Sequence, residues 1–126
     1  MIFLCRIEDL GATAAKGVVL GEGADALDVV VVEKNKVRYA YVNSCPHQFI
    51  PLEIFPGYFF TEDGKHLICS GHGALFEPDT GKCVLGPCLG DSLQPLAITE
   101  KDSAVYLTEQ RSPEDIARAR RSARNW

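Results

Sequence analysis

Two short motifs place cysteine and histidine side chains at spacings that suit a metal centre. The first is Cys45-Pro46-His47, and the second, which follows after a gap of 21 residues, begins at Cys69 and ends at His72. Thiolate sulfur and imidazole nitrogen are ligands of zinc, of copper and of iron–sulfur clusters. The candidate metal ligands of this chain are therefore Cys45, His47, Cys69 and His72.

Two thiolates and two imidazoles are compatible with three kinds of site. These are a tetrahedral zinc ion, a copper ion or another borderline metal, and a [2Fe–2S] cluster with two cysteines on one iron and two histidines on the other. A zinc finger usually pairs cysteine with cysteine and histidine with histidine, whereas each motif here contains one of each. This even division favours a centre with two unlike irons, because each motif can give one ligand to each iron.

The segments that must position these motifs are predicted to be short β-strands. The clearest is 27–33, where four consecutive valines fit a strand that is buried on both faces. A tight turn at Asn35-Lys36 predicts a hairpin with a strand at 37–42, which leads directly to Cys45.

Further short strands are predicted on either side of this hairpin. Their bounds are 2–7, 16–20, 58–60, 66–69, 73–76, 82–85, 96–100 and 104–108. A turn at Asp63-Gly64 places Cys69 at a strand end, and Gly86-Pro87 interrupts the chain. About nine short strands between Gly, Pro and Asp turns are typical of a small all-β sandwich or barrel.

The C-terminal segment 111–126 is predicted to form a short helix that follows a β domain at 1–110. Ser112 suits the N-cap and Pro113 the first helical position. The apolar stripe of this helix is thin and consists of Ile116, Ala119 and Ala123. A marginal helix that lies on the barrel or frays is favoured over a docking element for an acidic partner.

The charge and composition exclude some classes of partner. The chain has 126 residues, 46% of them hydrophobic, and a net charge of −4. This negative net charge disfavours nucleic acid as a partner. The charge is uneven, because residues 1–110 carry 8 basic and 15 acidic side chains (−7), whereas the basic tail 111–126 carries 5 basic and 2 acidic ones (+3). No stretch has the pattern of a signal peptide or a membrane span, so no membrane partner is expected. The chain is therefore expected to be cytoplasmic, and its five cysteines are expected to be metal ligands or free thiols rather than disulfides.

The combination of motifs resembles the Rieske iron–sulfur family over roughly residues 1–108. The matching features are Cys-x-His, a gap of about twenty residues, Cys-x-x-His-Gly, Phe76, the turn Asp79-Thr80-Gly81 and the Gly86-Pro87 loop. The resemblance implies a Rieske-like β-sandwich or barrel, with the ligand loops at one end and one [2Fe–2S] cluster per chain. It also implies that Cys45 and Cys69 bind the inner iron, and that His47 and His72 bind the solvent-facing outer iron.

Departures from the respiratory members of the family favour its ferredoxin branch. Ile50 and Gly71 stand where those members carry two disulfide-bonded cysteines, and Ala74 and Phe76 stand where they carry a Ser and a Tyr that hydrogen-bond the cluster. Fewer donors to sulfur stabilise the reduced cluster less. We therefore predict a reduction potential near the bottom of the Rieske range, roughly −150 mV.

The resemblance implies a one-electron carrier that is not an enzyme and that has no catalytic residues. Its redox partners would be a reductase that supplies the electron and an oxygenase that receives it. A complete Rieske oxygenase needs a second iron held by two histidines and a carboxylate, and His66 is the one histidine left over. The alternative is a non-catalytic accessory or binding subunit in which the cluster or a zinc ion is structural.

Three cysteines are outside the ligand set. Cys83 and Cys88 are expected near the site as free thiols, although a disulfide between them is conceivable. Cys5 is expected in the core.

Overall fold

The described part of the chain folds into three antiparallel sheets and a C-terminal helix. The computed structural model describes residues 1–46, 51–52, 58–69 and 73–124, with side chains as far as Arg120. The strands are β1 (Ile2–Arg6), β2 (Ala15–Leu20), β3 (Leu27–Lys34), β4 (Val37–Val42), β5 (Leu67–Ile68), β6 (Leu75–Phe76), β7 (Cys83–Leu85), β8 (Pro95–Leu96), β9 (Ile98–Lys101) and β10 (Ala104–Leu107). The helices are α1 (Pro113–Arg124) and two 3-10 helices, Ile7–Thr13 and Gly23–Asp25. The predicted fold class, all-β with a short C-terminal helix, is confirmed.

Strand order places β3 and β4 at the centre of the largest sheet. Within the described residues, that sheet has the order β2-β3-β4-β8, and the other two have the orders β1-β10-β9 and β5-β6-β7. Strands β3 and β4 pair in register around a turn at Asn35 and Lys36, whose φ angles of 54° and 65° are left-handed. Positive φ at both central residues gives a two-residue hairpin its right-handed twist. The predicted hairpin is confirmed.

Strand β3 separates two hydrophobic cores because its side chains alternate between two faces. Val30 and Val32 contribute to one core, and Val29 and Val31 contribute to the other; all four are fully buried. The predicted burial of this strand on both faces is thus confirmed. The first core contains Cys45 and Cys69, so we call it the cysteine core.

The helix α1 closes the second core, on the opposite side of β3. Ile116 is fully buried and Ala117 nearly so, and both pack into that core. The Ser112 hydroxyl accepts a hydrogen bond from the Asp115 amide at 3.2 Å, which confirms the predicted N-cap. The expected stripe is wrong at Ala119, which is exposed, because the helix turns its 116–117 side toward β3. Packing on the body of the protein, rather than fraying, is observed for the described side chains of this helix.

Two of the predicted strands differ in extent. The segment 96–100 is divided, because Leu96 pairs with Ala40 of β4 in β8 while Ile98 begins β9. The segment 58–60 contributes one bridge, between Phe60 and Leu67. The division of 96–100 arises from pairing with the distant strand β4, which local periodicity does not encode. No helix among the described residues is long and apolar enough to cross a membrane.

Candidate metal centre

The two candidate cysteine ligands meet in the cysteine core. Cys45 follows β4, Cys69 follows β5, and both have an exposed fraction of 0%. Strand β6, through Phe76, packs into the same core. Burial of thiols from two separate chain segments in one core is what a shared centre with two cysteine ligands requires. His47 and His72, the other two candidates, lie outside the described residues, as do Ile50 and Gly71.

Asn43 connects the two ends of the segment that carries Cys45. This side chain is 3% exposed, and its Oδ1 accepts a hydrogen bond from the Leu52 amide at 3.0 Å. The backbone amide of Asn43 donates a hydrogen bond to the backbone carbonyl of Asp28 on β3 at 2.8 Å. Residues 43–52, which include Cys45, are called the first ligand segment. Because residues 43 and 52 are its two ends, these bonds fix both ends of the segment to the central sheet.

Helix α1 also contacts the first ligand segment. The Arg120 guanidinium Nη2 donates to the Ser44 hydroxyl at 3.1 Å, directly before Cys45. Burial lowers the pKa of Arg120 from its ordinary value. Arg118 forms ion pairs with Asp25 at 3.0 Å and Asp115 at 3.5 Å. These two arginines of the basic tail therefore bind groups of the same chain.

The segment that carries Cys69 is closed by two backbone hydrogen bonds. The Cys69 amide donates to the Ala74 carbonyl at 2.9 Å, and the Gly73 amide donates to the Cys69 carbonyl at 2.8 Å. These bonds continue the pairing of β5 with β6. The second ligand segment, as we call residues 69–74, therefore lies at the end of a small hairpin. The expectation that Cys69 lies at a strand end is confirmed.

A third segment, 86–91, packs directly on the second ligand segment. A Cβ atom added to Gly86 would lie 2.8 Å from the Ala74 Cα, and the Gly86 φ angle is 104°. Only glycine avoids both the contact and the strained backbone at this position. Gly86 thereby brings Pro87 and Cys88 beside the two ligand segments.

Tyr41 connects the central sheet to the turn after β6. Its side chain is 2% exposed, and its hydroxyl donates to the Pro78 carbonyl at 2.7 Å. Burial, with a smaller contribution from Asp79, raises the pKa of Tyr41 above its ordinary value. Tyr41 also packs on Gly81, where an added Cβ would lie 2.8 Å from the Tyr41 ring. The turn at 79–81 is thus held against β4.

Two more thiols border the cysteine core. Cys83 on β7 and Cys88 in segment 86–91 are 1% and 2% exposed, and the Cys88 thiol donates to the Cys83 sulfur at 2.9 Å. Burial, followed by the contact with Cys83, raises the pKa of Cys88 to about 12. None of the five cysteines, all of which lie in the described part of the chain, is in a disulfide. The expected burial of Cys5 is confirmed, and Cys83 and Cys88 lie beside the cysteine core, as predicted.

A family comparison agrees with this geometry. The model of the Rieske [2Fe-2S] domain matches residues 1–108. The chain belongs to the Rieske family. Its cofactor is accordingly one [2Fe–2S] cluster, and electron transfer rather than catalysis is the role that the family assigns to this domain.

Solved structures of Rieske proteins have the same fold at low sequence identity. A chain from the complex of reduced oxygenase and oxidised ferredoxin in carbazole 1,9a-dioxygenase is 23% identical, with a TM-score of 0.67 over 88% of this chain and 94% of that one. The Sphingomonas yanoikuyae B1 ferredoxin is 19% identical, with a TM-score of 0.68 over 86% and 97%. The ferredoxin of carbazole 1,9a-dioxygenase from Nocardioides aromaticivorans IC177 is 16% identical, with a TM-score of 0.65 over 86% and 97%. No curated sequence is significantly similar to this chain.

The described residues fit a Rieske cluster on its cysteine side. Thiols at Cys45 and Cys69 suit an iron with two sulfur ligands, and the fully buried Ala74 and Phe76 contribute no hydroxyl group beside them. His66, the histidine outside the ligand set, is half-buried next to Glu77, with Nε2 at 3.7 Å from Oε1.

Sequence reasoning missed the supporting role of Asn43. An asparagine between a strongly apolar strand and a Cys-x-His motif is the sequence signal that could have identified it. The sequence does not indicate that Arg120 contacts Ser44, because the two residues are 76 positions apart.

Proposed function

We propose that this Rieske protein is a one-electron carrier in which Cys45, His47, Cys69 and His72 hold the cluster. The burial of Cys45 and Cys69 in one core, in a chain that matches the family over residues 1–108, carries the proposal. The two thiolates would bind the inner iron and the two imidazoles the outer iron. When bound, the cluster supplies a reversible one-electron centre.

The side chains of this chain determine how the electron reaches a partner. The cysteine side of the site is enclosed by Asn43, Ala74 and the segment 86–91. Transfer through the thiolates would therefore cross protein, whereas the histidine-bound iron is the proposed exit. Leu85 and Leu89, which are 56% and 66% exposed, flank Cys88 and offer an apolar rim for docking. Redox encounters of this kind are small in area and weak.

We propose a reductase as the donor and an oxygenase as the acceptor. Support comes from the likeness in fold to a chain of the complex of reduced oxygenase and oxidised ferredoxin in carbazole 1,9a-dioxygenase. A cytoplasmic location is also proposed, because five cysteines without a disulfide suit a reducing compartment.

The cluster test starts with the colour and metal content of the purified protein. We expect about two irons and two sulfides per chain, a red-brown colour and a rhombic EPR signal after reduction. Cys45→Ser and His72→Gln are expected to abolish or strongly alter this signal. A colourless protein loaded with zinc would contradict the carrier and support a structural accessory subunit.

Matched control variants come from the same chain. Cys5→Ser removes a buried thiol from the second core, and His66→Gln removes the histidine beside Glu77. Both variants are expected to keep the cluster spectrum of the wild type. Loss of the cluster in either control would undermine the ligand assignment.

The docking rim is tested by electron-transfer kinetics at unchanged potential. Leu89→Lys is expected to slow transfer to an oxygenase because it places a charge on the rim. Val37→Lys is the control, since Val37 is 48% exposed at the end of β4 that lies away from Cys45. Equal transfer rates in the two variants would exclude this rim as the docking surface.

The predicted reduction potential stays roughly −150 mV. Ala74 and Phe76 offer no hydroxyl donor to the cluster or its ligand sulfurs, so the reduced state lacks that stabilisation. Protein-film voltammetry measures the potential directly, and a value well above zero would contradict this reasoning.

A further inference from the structure

Two thiols that have no role in cluster ligation face each other beside the cysteine core. The Sγ atoms of Cys83 and Cys88 are 2.9 Å apart, and Cys83 Sγ also lies 3.4 Å from the Leu85 carbonyl oxygen. A disulfide requires a sulfur separation of about 2.05 Å. The two sulfurs therefore need to approach each other by less than about 1 Å to form the bond.

The backbone holds the two cysteines in this arrangement. The Cys83 amide donates to the Asp91 carbonyl at 2.9 Å, and the Asp91 amide donates to the Cys88 carbonyl at 2.9 Å. Asp91 is thus bonded to both cysteines and fixes β7 against the turn that contains Cys88. These backbone hydrogen bonds keep each thiol next to the other.

The two thiols lie close to the surface of the protein. Both sulfurs are almost completely buried, but Val84, Leu85 and Leu89 beside them are exposed. The segment 86–91 is held by turn hydrogen bonds, such as that from the Leu89 amide to the Gly86 carbonyl at 3.3 Å. An oxidant has to pass the exposed side chains of this surface to reach a sulfur, which favours a small molecule over a protein.

We propose that Cys83 and Cys88 form a reversible disulfide in response to hydroperoxides. The Cys83 thiolate attacks a peroxide oxygen, the O–O bond breaks, and a sulfenic acid on Cys83 and one water are formed after proton transfer. The second thiol then attacks the sulfenic sulfur, the S–S bond forms, the S–O bond breaks, and a second water leaves. In sum, two thiols and one hydrogen peroxide give one disulfide and two waters. A dithiol reductant reverses the change by thiol–disulfide exchange.

The disulfide would connect the covering segment 86–91 to β7 by a covalent bond. That segment contacts the second ligand segment through Gly86 and Ala74, so its motion bears on the cover of the centre. We expect slower hydrogen exchange at the Leu89 and Asp91 amides after oxidation. The pair is a modification site that responds to peroxide next to an electron-transfer centre, and it does not depend on the identity of the redox partners.

The experiment exposes the cluster-loaded, oxidised protein to hydrogen peroxide under argon and follows the visible absorbance. Alkylation under denaturing conditions then counts the thiols by mass spectrometry. The count is expected to fall from five to three, because two of the five cysteines become linked. Peptide mapping without reductant is expected to give a Cys83–Cys88 link, and dithiothreitol is expected to restore five thiols.

Two variants serve as controls. Cys88→Ser is expected to keep all four of its remaining thiols, since four are left when one of five is removed. Cys5→Ser is expected to form the same link as the wild type. A link between other cysteines, over-oxidation without a link, or a link that forms only after the cluster absorbance is lost would each overturn the proposal.

Discussion

The contact between Gly86 and Ala74 leads to a prediction that a matched pair of variants can test. Gly86 has a φ angle of 104°, and an added Cβ would lie 2.8 Å from the Ala74 Cα and 3.2 Å from its Cβ. Gly90, four residues later in the same segment, has a φ angle of 96° but no atom within 4 Å of such a Cβ. The variants Gly86→Ala and Gly90→Ala therefore share the backbone strain, and only the first adds the collision.

The expected magnitudes follow from these two terms. A non-glycine residue at positive φ costs roughly 1–2 kcal/mol. Overpacking against backbone that has to move adds roughly 1–3 kcal/mol at Gly86. We expect Gly90→Ala to lower the unfolding free energy by about 1–2 kcal/mol and Gly86→Ala by about 2–5 kcal/mol. In a chain of this size, 1 kcal/mol corresponds to roughly 3–5 °C in Tm.

The assay is urea unfolding of the cluster-loaded proteins under argon, followed by far-UV circular dichroism and by visible absorbance. Gly86→Ala is expected to unfold at lower urea than Gly90→Ala and to lose the cluster absorbance earlier, because its covering segment is displaced from Ala74. Equal midpoints for the two variants would refute the reasoning, since the collision would then cost nothing.

Three further predictions concern stability. Tyr41→Phe leaves the buried Pro78 carbonyl without its donor and is expected to cost about 1–3 kcal/mol, measured by urea unfolding; an unchanged midpoint would contradict the role of this bond. Burial raises the pKa of Asp28 in the folded protein. As the pH rises above about 4, Asp28 therefore loses its proton in the unfolded chain before it does so in the folded protein, and the unfolding free energy falls until the pH passes the folded-state pKa of Asp28. Asp28→Asn is therefore expected to be more stable than the wild type at pH 7, with the gain shrinking toward pH 4 in parallel unfolding curves, and a gain independent of pH would be inconsistent with this linkage. Ser112→Ala removes the cap of α1 and is expected to cost about 1 kcal/mol in thermal unfolding, where Ser112→Asn, which can also cap, is the control.

The strands around the first motif could be predicted because their signals are local. Four adjacent valines mark β3, and Asn35 and Lys36 accept the left-handed backbone that the hairpin needs. Local patterns failed where pairing with a distant strand decided the outcome. Leu96 was expected to belong to the last hairpin, but it pairs with Ala40, which lies more than fifty positions earlier.

The residues that surround the candidate ligands were less accessible to sequence reasoning. Types and spacing identified Cys45 and Cys69 as candidates, because few residues bind metals and fewer do so in paired motifs. Asn43 was not noticed, because an asparagine before a loop has many ordinary roles. Its structural role follows from the hydrogen bond of 3.0 Å that the Leu52 amide donates to Asn43 Oδ1.

The amino-acid sequence by itself determined the kind of chemistry, the family and the all-β class, since these depend on residue types, short spacings and local periodicity. Tertiary structure alone decided which thiols share a core, that Gly86 lies against Ala74, that Cys88 faces Cys83, and that α1 reaches Ser44 through Arg120. The physical reason is that close contacts between distant segments depend on how the sheets pack as a whole. No local preference in the sequence specifies a separation of three ångströms between residues that the fold alone brings together.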